Sequence, residues 1–351
     1  MNDPSAASPR DERTPHRTRP TSLGRRRAST ALLAIASLVA ALALGEAGLR
    51  LIGFRYELRL HMIESTAPNP GETVRLYRID RELAWVPQGY QDSLRAARAA
   101  RPRLVFLGDS CTQLGWYDEY VVSFAAMEHP GARLRAAKLG CAGYTTRQGL
   151  AQLERDILPL APRVVTLYYG WNDHWLSIGA DDEYVSRLNA SPLFRLRSLR
   201  VVQLVAKVAI TLERRRHERV PLRVSPEQFR SNLVRMVRAA QAAGVVPLLI
   251  TAPSSHVMGR EPKYLENRWI DDLTTLVPLH RRYMQIVREV AAEERAPLCD
   301  LAAEFDAISQ HERDVMFNAD GIHANDDGNR AIAAGILGCL QSHGLLQDVL
   351  E

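Results

Sequence analysis

Four short polar segments in this 351-residue chain hold the residue types that acyl transfer requires. In chain order they are Gly108-Asp109-Ser110, Gly140-Cys141-Ala142-Gly143, Gly170-Trp171-Asn172-Asp173 and Asp320-Gly321-Ile322-His323. Ester cleavage needs a nucleophile, a base to take its proton, a group to orient that base, and donors for the developing oxyanion. Ser110 follows an apolar run and a flexible Gly-Asp, which lets its hydroxyl project. Asp320 and His323 are three residues apart, close enough for one tight turn to set the carboxylate on the imidazole as orienting acid and general base. At Gly143 the missing side chain allows the backbone to approach a substrate.

Taken singly, each segment has a plainer explanation. Gly-Asp-Ser and Asp-Gly are ordinary turn sequences, Asn172-Asp173 suits a loop cap, and a lone His323 would be a surface or packing histidine. Their joint occurrence in the loops after successive apolar runs is what points to a catalytic site. Two rival histidines exist. His174 abuts the Asn172 segment and His256 follows an apolar run ending at Thr251, but neither has an aspartate three residues before it; with Asp109, Trp171 and Asp173 they are candidate pocket residues. Cys111 is a rival nucleophile beside Ser110. No G-x-S-x-G elbow is present, which argues against the α/β-hydrolase fold bearing the same triad.

The four segments, in this order and at this spacing, resemble the blocks of the SGNH (GDSL-like) hydrolases, a family named for its serine, glycine, asparagine and histidine. The resemblance runs from about residue 104 to the C-terminus. It implies an ester hydrolase acting without metal or organic cofactor, with Ser110 as nucleophile, His323 as base, and Asp320 orienting it. It also implies an oxyanion hole made of the Ser110 and Gly143 backbone N–H groups and the Asn172 side chain. Trp171 departs from the common pattern, which often has a small residue between the glycine and the asparagine. Trp171 and Trp175 suit either core packing or an aromatic wall for a sugar ring or a short acyl group.

The elements that must position these segments can be read from hydrophobic periodicity. Residues 104–107, 164–169 and 245–251 are continuous apolar runs of the kind expected for strands buried on both faces, with 133–139 and 297–301 as weaker candidates. Between them Leu150, Leu153 and Ile157 share a helical face. Ser225-Pro226-Glu227-Gln228 opens another helix with a capping box, and Gly244 suits its left-handed end. Helices also fit residues 279–294 and 329–340. Strands alternating with helices predict a parallel sheet covered on both faces, with the site at the carboxyl ends of the strands; the family resemblance implies that this is a three-layer, flavodoxin-like α/β/α domain on a short parallel sheet.

Composition bounds the rest. The net charge is +5, but seven arginines against three acidic residues before Ala28 place +4 of it in the first 27 residues. The remaining chain is near neutral and carries no nucleic-acid-binding signature, so nucleic acid is not an expected partner. Residues 28–44 are uncharged and follow the arginine run directly; as a helix they extend about 26 Å, the lower end of a membrane span. We read residues 1–27 as a basic cytoplasmic tail and 28–49 as a signal-anchor, by the positive-inside rule, with the rest outside the cytoplasm. A signal peptide cleaved after Ala43 is the alternative, and would give a secreted enzyme.

Residues 50–102 then form a polar, irregular stalk and domain entry, and residues 103–351 the hydrolase domain. Within it, residues 176–224 are a basic insertion carrying nine Arg or Lys against two Glu between 193 and 223. It suits a packed helix with a solvated charged end, or an amphipathic lid lying on a membrane or an acidic polymer. Of four cysteines, Cys299 and Cys339 read as buried packing residues, and Cys111 and Cys141 as loop residues for which a disulfide is open. No CxxC pair suggests a metal site. The expected reaction is carboxylic-ester hydrolysis, on an O-acylated cell-surface glycan or a lipid ester. The alternatives are an O-acyltransferase acting on an extracytoplasmic polysaccharide, and a non-catalytic surface-binding protein.

Overall fold

The three strongest apolar runs become the three central strands of one parallel sheet. In the computed structural model, which describes residues 22–56, 64–66, 73–177, 196, 198–216, 221–266 and 269–351, these are β1 (Leu104–Gly108), β3 (Val164–Tyr168) and β4 (Val246–Ile250). The weaker candidates supply the edges, β2 (Ala136–Lys138) and β5 (Leu298–Cys299). The order is β2-β1-β3-β4-β5, every pair parallel. Leu104 to Leu107 and Val164 to Leu167 are buried because helices cover both faces. Helices Tyr117–Glu128 and Asp326–Ser342 pack together, as do Pro226–Ala242 and Leu276–Glu293. The domain is therefore the expected flavodoxin-like α/β/α sandwich. In this strand order the chain reverses direction between β1 and β3, and in such sheets ligands bind at the carboxyl ends of the strands beside that point.

Local signals held where the chemistry was specific. Ser225 Oγ accepts from the Gln228 N–H at 3.3 Å while Gln228 Oε1 accepts from the Ser225 N–H at 3.2 Å, the reciprocal capping box. Gly244 ends that helix at φ +71°. The 50–102 segment differs from the irregular stalk read from its prolines and glycines. Tyr77–Asp80 and Ala84–Pro87 form an antiparallel hairpin, and Tyr90–Ala100 a helix. Leu83, Trp85, Val86, Tyr90 and Leu94 enter the main core. These strands are too short to show a period in sequence, and only contact with the domain stabilises them.

The cysteine reading is corrected. Cys299, at the end of β5, forms a disulfide with Cys339 of the helix Asp326–Ser342, their Cα atoms 5.5 Å apart. Cys111 and Cys141 are free, buried thiols. Linear spacing could not pair a strand end with a helix forty residues away.

At the N-terminus a 30-residue helix, Ser22–Leu51, contains Thr30–Leu51, which has a mean hydropathy of 2.1, none of it buried, and is long and apolar enough to cross a membrane. The basic tail up to residue 21, parts of the stalk (57–63 and 67–72) and parts of the insertion (178–195, 197 and 217–220) lie outside the described residues.

Candidate active site

Ser110 opens the helix Ser110–Leu114 directly after β1. The preceding residue, Asp109, caps that helix by accepting from the Cys111 N–H at 2.9 Å, which holds the backbone around Ser110 in place. His323 arrives from the other end of the domain, in the turn before the helix Asp326–Ser342. Its Nε2 lies 2.9 Å from Ser110 Oγ, and its Nδ1 lies 2.6 Å from Asp320 Oδ2. Asp320 uses its other oxygen, Oδ1, to accept the backbone N–H groups of Ile322 and His323, both at 2.9 Å. One carboxylate therefore shapes the turn and orients the ring. All three residues are half-buried.

Electrostatics fit this chain of contacts. Burial works against ionisation of Asp320, but three hydrogen bonds to the carboxylate outweigh it and hold its pKa below the usual value. An ionised Asp320 keeps the proton on His323 Nδ1 and leaves Nε2 facing the serine hydroxyl. Burial likewise disfavours the charged imidazole of His323. The bond to Asp320, the charge of Asp320 and the charge of Asp109 overcome this, and the pKa is raised above that of an ordinary histidine. A hydroxyl, an imidazole and a carboxylate in this order can move a proton from Ser110 to His323 while the carboxylate stabilises the imidazolium.

The turn that carries Asp320 and His323 is held from outside by a residue assigned only to the pocket. His256 Nε2 donates to the Asp320 carbonyl oxygen at 2.7 Å, and the Ser255 N–H donates to the Gly321 carbonyl at 3.1 Å. Gly321 sits at φ +69°, and a Cβ there would come within 2.5 Å of the His256 ring. Only glycine accommodates both the backbone conformation and this close approach.

Gly143 also requires its type, at φ +80°. Its loop is pinned at three points: Trp85 Nε1 donates to the Ala142 carbonyl at 3.0 Å, the Ala142 N–H to Gln113 Oε1 at 2.6 Å, and Arg223 Nη2 to the Gly143 carbonyl at 2.7 Å. Sequence reading missed all three partners, which lie 29 to 80 residues away. Asn172 follows β3, and its Nδ2 donates to Asp109 Oδ2 at 3.1 Å. Burial pushes the Asp109 pKa up to about 6, against the opposing effects of the Cys111 N–H, the His323 charge and the Asn172 amide.

The other candidate pocket residues are interior. Asp173 is fully buried and accepts from the Thr146 N–H at 2.9 Å and hydroxyl at 2.6 Å, which ties the third loop to the helix Thr146–Gln152. His174 is equally buried. Its Nε2 donates to Nδ1 of His280 at 3.2 Å, and His280 Nε2 donates to the Ala252 carbonyl at 2.9 Å; a carbonyl only accepts, which sets the tautomer of the pair. Burial keeps both rings neutral, with His280 lowered to about 3. Trp171 stacks on His280 with ring centroids 3.8 Å apart, and Trp175 stacks on Trp171. Both indoles are buried, at 2% and 5% exposure. They are a packed support beneath the third loop, and the aromatic wall does not form. Nothing in the sequence marked His280 as a member of this cluster. Among the described residues no group of His, Cys, Asp and Glu could hold a metal ion.

An α/β/α sandwich with these loops at its switch point defines an ester hydrolase of the SGNH type. The chain belongs to the GDSL-like Lipase/Acylhydrolase family, whose model matches residues 106–331. No curated protein matches it. Among solved structures it is similar to a lipase/acylhydrolase from Enterococcus faecalis, at 21% identity and a TM-score of 0.46, over 69% of this chain and 96% of that one. It is also similar to an acetylxylan esterase variant from Geobacillus stearothermophilus, at 18% and 0.44, over 68% and 93%. A GDSL-like lipase from Bacteroides thetaiotaomicron is similar at 14% and 0.44, over 72% and 98%.

Proposed function

We propose that this chain is a membrane-anchored serine esterase that works through an acyl-enzyme. The observation that carries the reading is the continuous hydrogen-bonded path from Asp320 through His323 to Ser110. Ser110 Oγ attacks the ester carbonyl carbon as its proton passes to His323 Nε2. The resulting oxyanion is held by the Ser110 and Gly143 N–H groups and the Asn172 amide. Collapse breaks the bond to the alcohol, which leaves with the proton from His323. Water, deprotonated by the same imidazole, then attacks the acyl carbon, releases the acid and restores Ser110. Asp320 stays ionised throughout and holds the ring in its working tautomer.

The exposed apolar stretch Thr30–Leu51 supports an anchor, with the arginine-rich tail in the cytoplasm and the catalytic domain outside. The Cys299–Cys339 disulfide suits an oxidising, extracytoplasmic compartment. The substrate in this setting is an ester at the cell envelope, an O-acylated glycan first and a lipid ester next. Burial of Trp171 and Trp175 removes ring stacking from the argument for a glycan, so the assignment rests on location.

The test is hydrolysis of p-nitrophenyl esters of increasing acyl length by the purified full chain, alongside Ser110→Ala and His323→Ala. Each variant should retain its fold and lose nearly all turnover, and a fluorophosphonate should label Ser110 stoichiometrically. Full activity in either variant, or labelling of another serine, overturns the assignment.

A further inference from the structure

The helix Arg200–Arg216 within the basic insertion is amphipathic the wrong way round for a helix packed on a soluble domain. Gln203 and Ala206 are its buried residues, while Leu204, Val205, Val208 and Leu212 are 37%, 62%, 48% and 53% exposed. Positions 204, 205, 208 and 212 fall on one helical face. The apolar stripe thus points away from the face that carries the buried Gln203 and Ala206.

The beginning of this helix is fastened to the end of the apolar N-terminal helix. Glu46 Oε2 accepts from the Val201 N–H at 3.0 Å, its other oxygen accepts from Arg50 Nε at 2.7 Å, and the Val201 side chain packs over Gly45. Just beyond, Gln203 Oε1 accepts from the Tyr56 N–H at 3.2 Å, and Lys207 Nζ lies over the rings of Phe54 and Tyr56. Glu46 stands five residues before the end of Thr30–Leu51, about 7 Å along the axis at the helical rise. An interfacial helix buries its apolar face about 5–10 Å into the headgroup and acyl boundary. The attachment point and the depth agree.

We propose that the helix Arg200–Arg216 lies in the surface of the bilayer that the N-terminal helix enters, with Leu204, Val205, Val208 and Leu212 against the acyl chains. This rests on the anchor reading above. The occupant of the stripe is lipid because the helix that carries it begins against the apolar span, no residue of which is buried. The charge also suits lipid phosphates, since the helix carries five basic residues (Arg200, Lys207, Arg214, Arg215 and Arg216) against Glu213. At its far end the insertion returns through Leu222, which bridges to Leu176, to Arg223 on the Gly143 carbonyl. The surface-bound segment is therefore continuous with the loop that carries an oxyanion donor.

The test uses the full chain in phosphatidylcholine vesicles containing phosphatidylglycerol, with an environment-sensitive fluorophore on Val205→Cys or, for reference, on Met127→Cys, an exposed position of the catalytic domain. The native cysteines are buried or disulfide-bonded and do not compete for label. The protein should resist carbonate extraction. The label at 205 should emit at shorter wavelength than that at 127, be several-fold less quenched by aqueous iodide, and be quenched by nitroxide lipids labelled near the headgroup. Iodide quenching at 205 equal to that at 127, in protein that still resists carbonate, overturns the surface helix and leaves the anchor standing. Extraction by carbonate overturns the anchor, and the surface helix with it. A blue-shifted label that nitroxide lipids do not quench means that another protein surface covers the stripe, which also overturns the inference.

Discussion

Asn172 donates its side-chain amide to Asp109 Oδ2 at 3.1 Å, which joins the loop after β3 to the loop after β1 across the switch point. An amide nitrogen carries two hydrogens, and Asp109 takes one. The bond fixes the amide plane, and the proposed oxyanion-hole role falls to the other hydrogen. Asn172→Ala should therefore lower kcat by ~10²–10³, the usual loss for one such donor. It should also strip Asp109 of a partner and cost roughly 1–3 kcal/mol of stability. Melting temperature and kcat measured on one sample separate the two effects, and near-normal turnover per folded molecule removes Asn172 from the oxyanion hole.

The pH profile should carry the signature of Asp109. With the His323 pKa raised, the neutral ring that the proposed mechanism uses as base is lost as pH falls through a value above ~6.5, the ordinary histidine midpoint. The acid limb of kcat/KM should lie there. Asp109→Asn keeps a helix-capping side chain at that position but removes a carboxylate that favours the imidazolium. The His323 pKa falls, the neutral base persists to lower pH, and the acid limb moves down. A limb that stays in place excludes electrostatic coupling between Asp109 and His323.

Reduction of the disulfide should cost stability without touching the chemistry. Cys299 and Cys339 are 40 residues apart, and opening a loop of that length releases about 4 kcal/mol of chain entropy to the unfolded state, within the 2–4 kcal/mol typical of such bonds. Cys299→Ala combined with Cys339→Ala should shift the urea midpoint down by the corresponding amount, with kcat retained at 25 °C. Unchanged stability would show that the two cysteines are not joined in the folded protein.

Arg223 should be a positioning residue. It donates to the Gly143 carbonyl at 2.7 Å, on the peptide next to the donor expected to face the oxyanion. Arg223→Ala removes one of the three contacts that pin that loop, so kcat should fall, with KM for a short ester changed less. Arg223→Lys, with a single-point donor in place of the fork, should recover part of the rate. Equal activity in all three proteins would assign Arg223 to packing alone.

Much of this was legible in the sequence because the forces involved are local. Buried parallel strands demand apolar residues on both faces, so β1, β3 and β4 stood out as continuous runs, and the capping box at Ser225 announced its helix. Asp320 and His323 were readable as a pair because a three-residue turn brings them together without help from the rest of the chain. Ser110 and Asn172 were legible as positions after strands, since an α/β sheet must collect such loops at one edge.

What only tertiary structure decided was every contact made across the sheet or between distant loops. The bond from Asn172 to Asp109, the clasp of His256 on the Asp320 carbonyl, and the Arg223 contact with Gly143 involve partners 63 to 80 residues apart, and no spacing rule selects them. The same holds for Cys299 with Cys339, and for Trp171, whose burial against His280 turned an aromatic wall into a support. The stripe on the helix Arg200–Arg216 is the plainest case. The sequence left open a packed helix or an amphipathic one on a membrane, and which face meets the protein is set by packing against Glu46, Phe54 and Tyr56, contacts that exist only once the chain has folded.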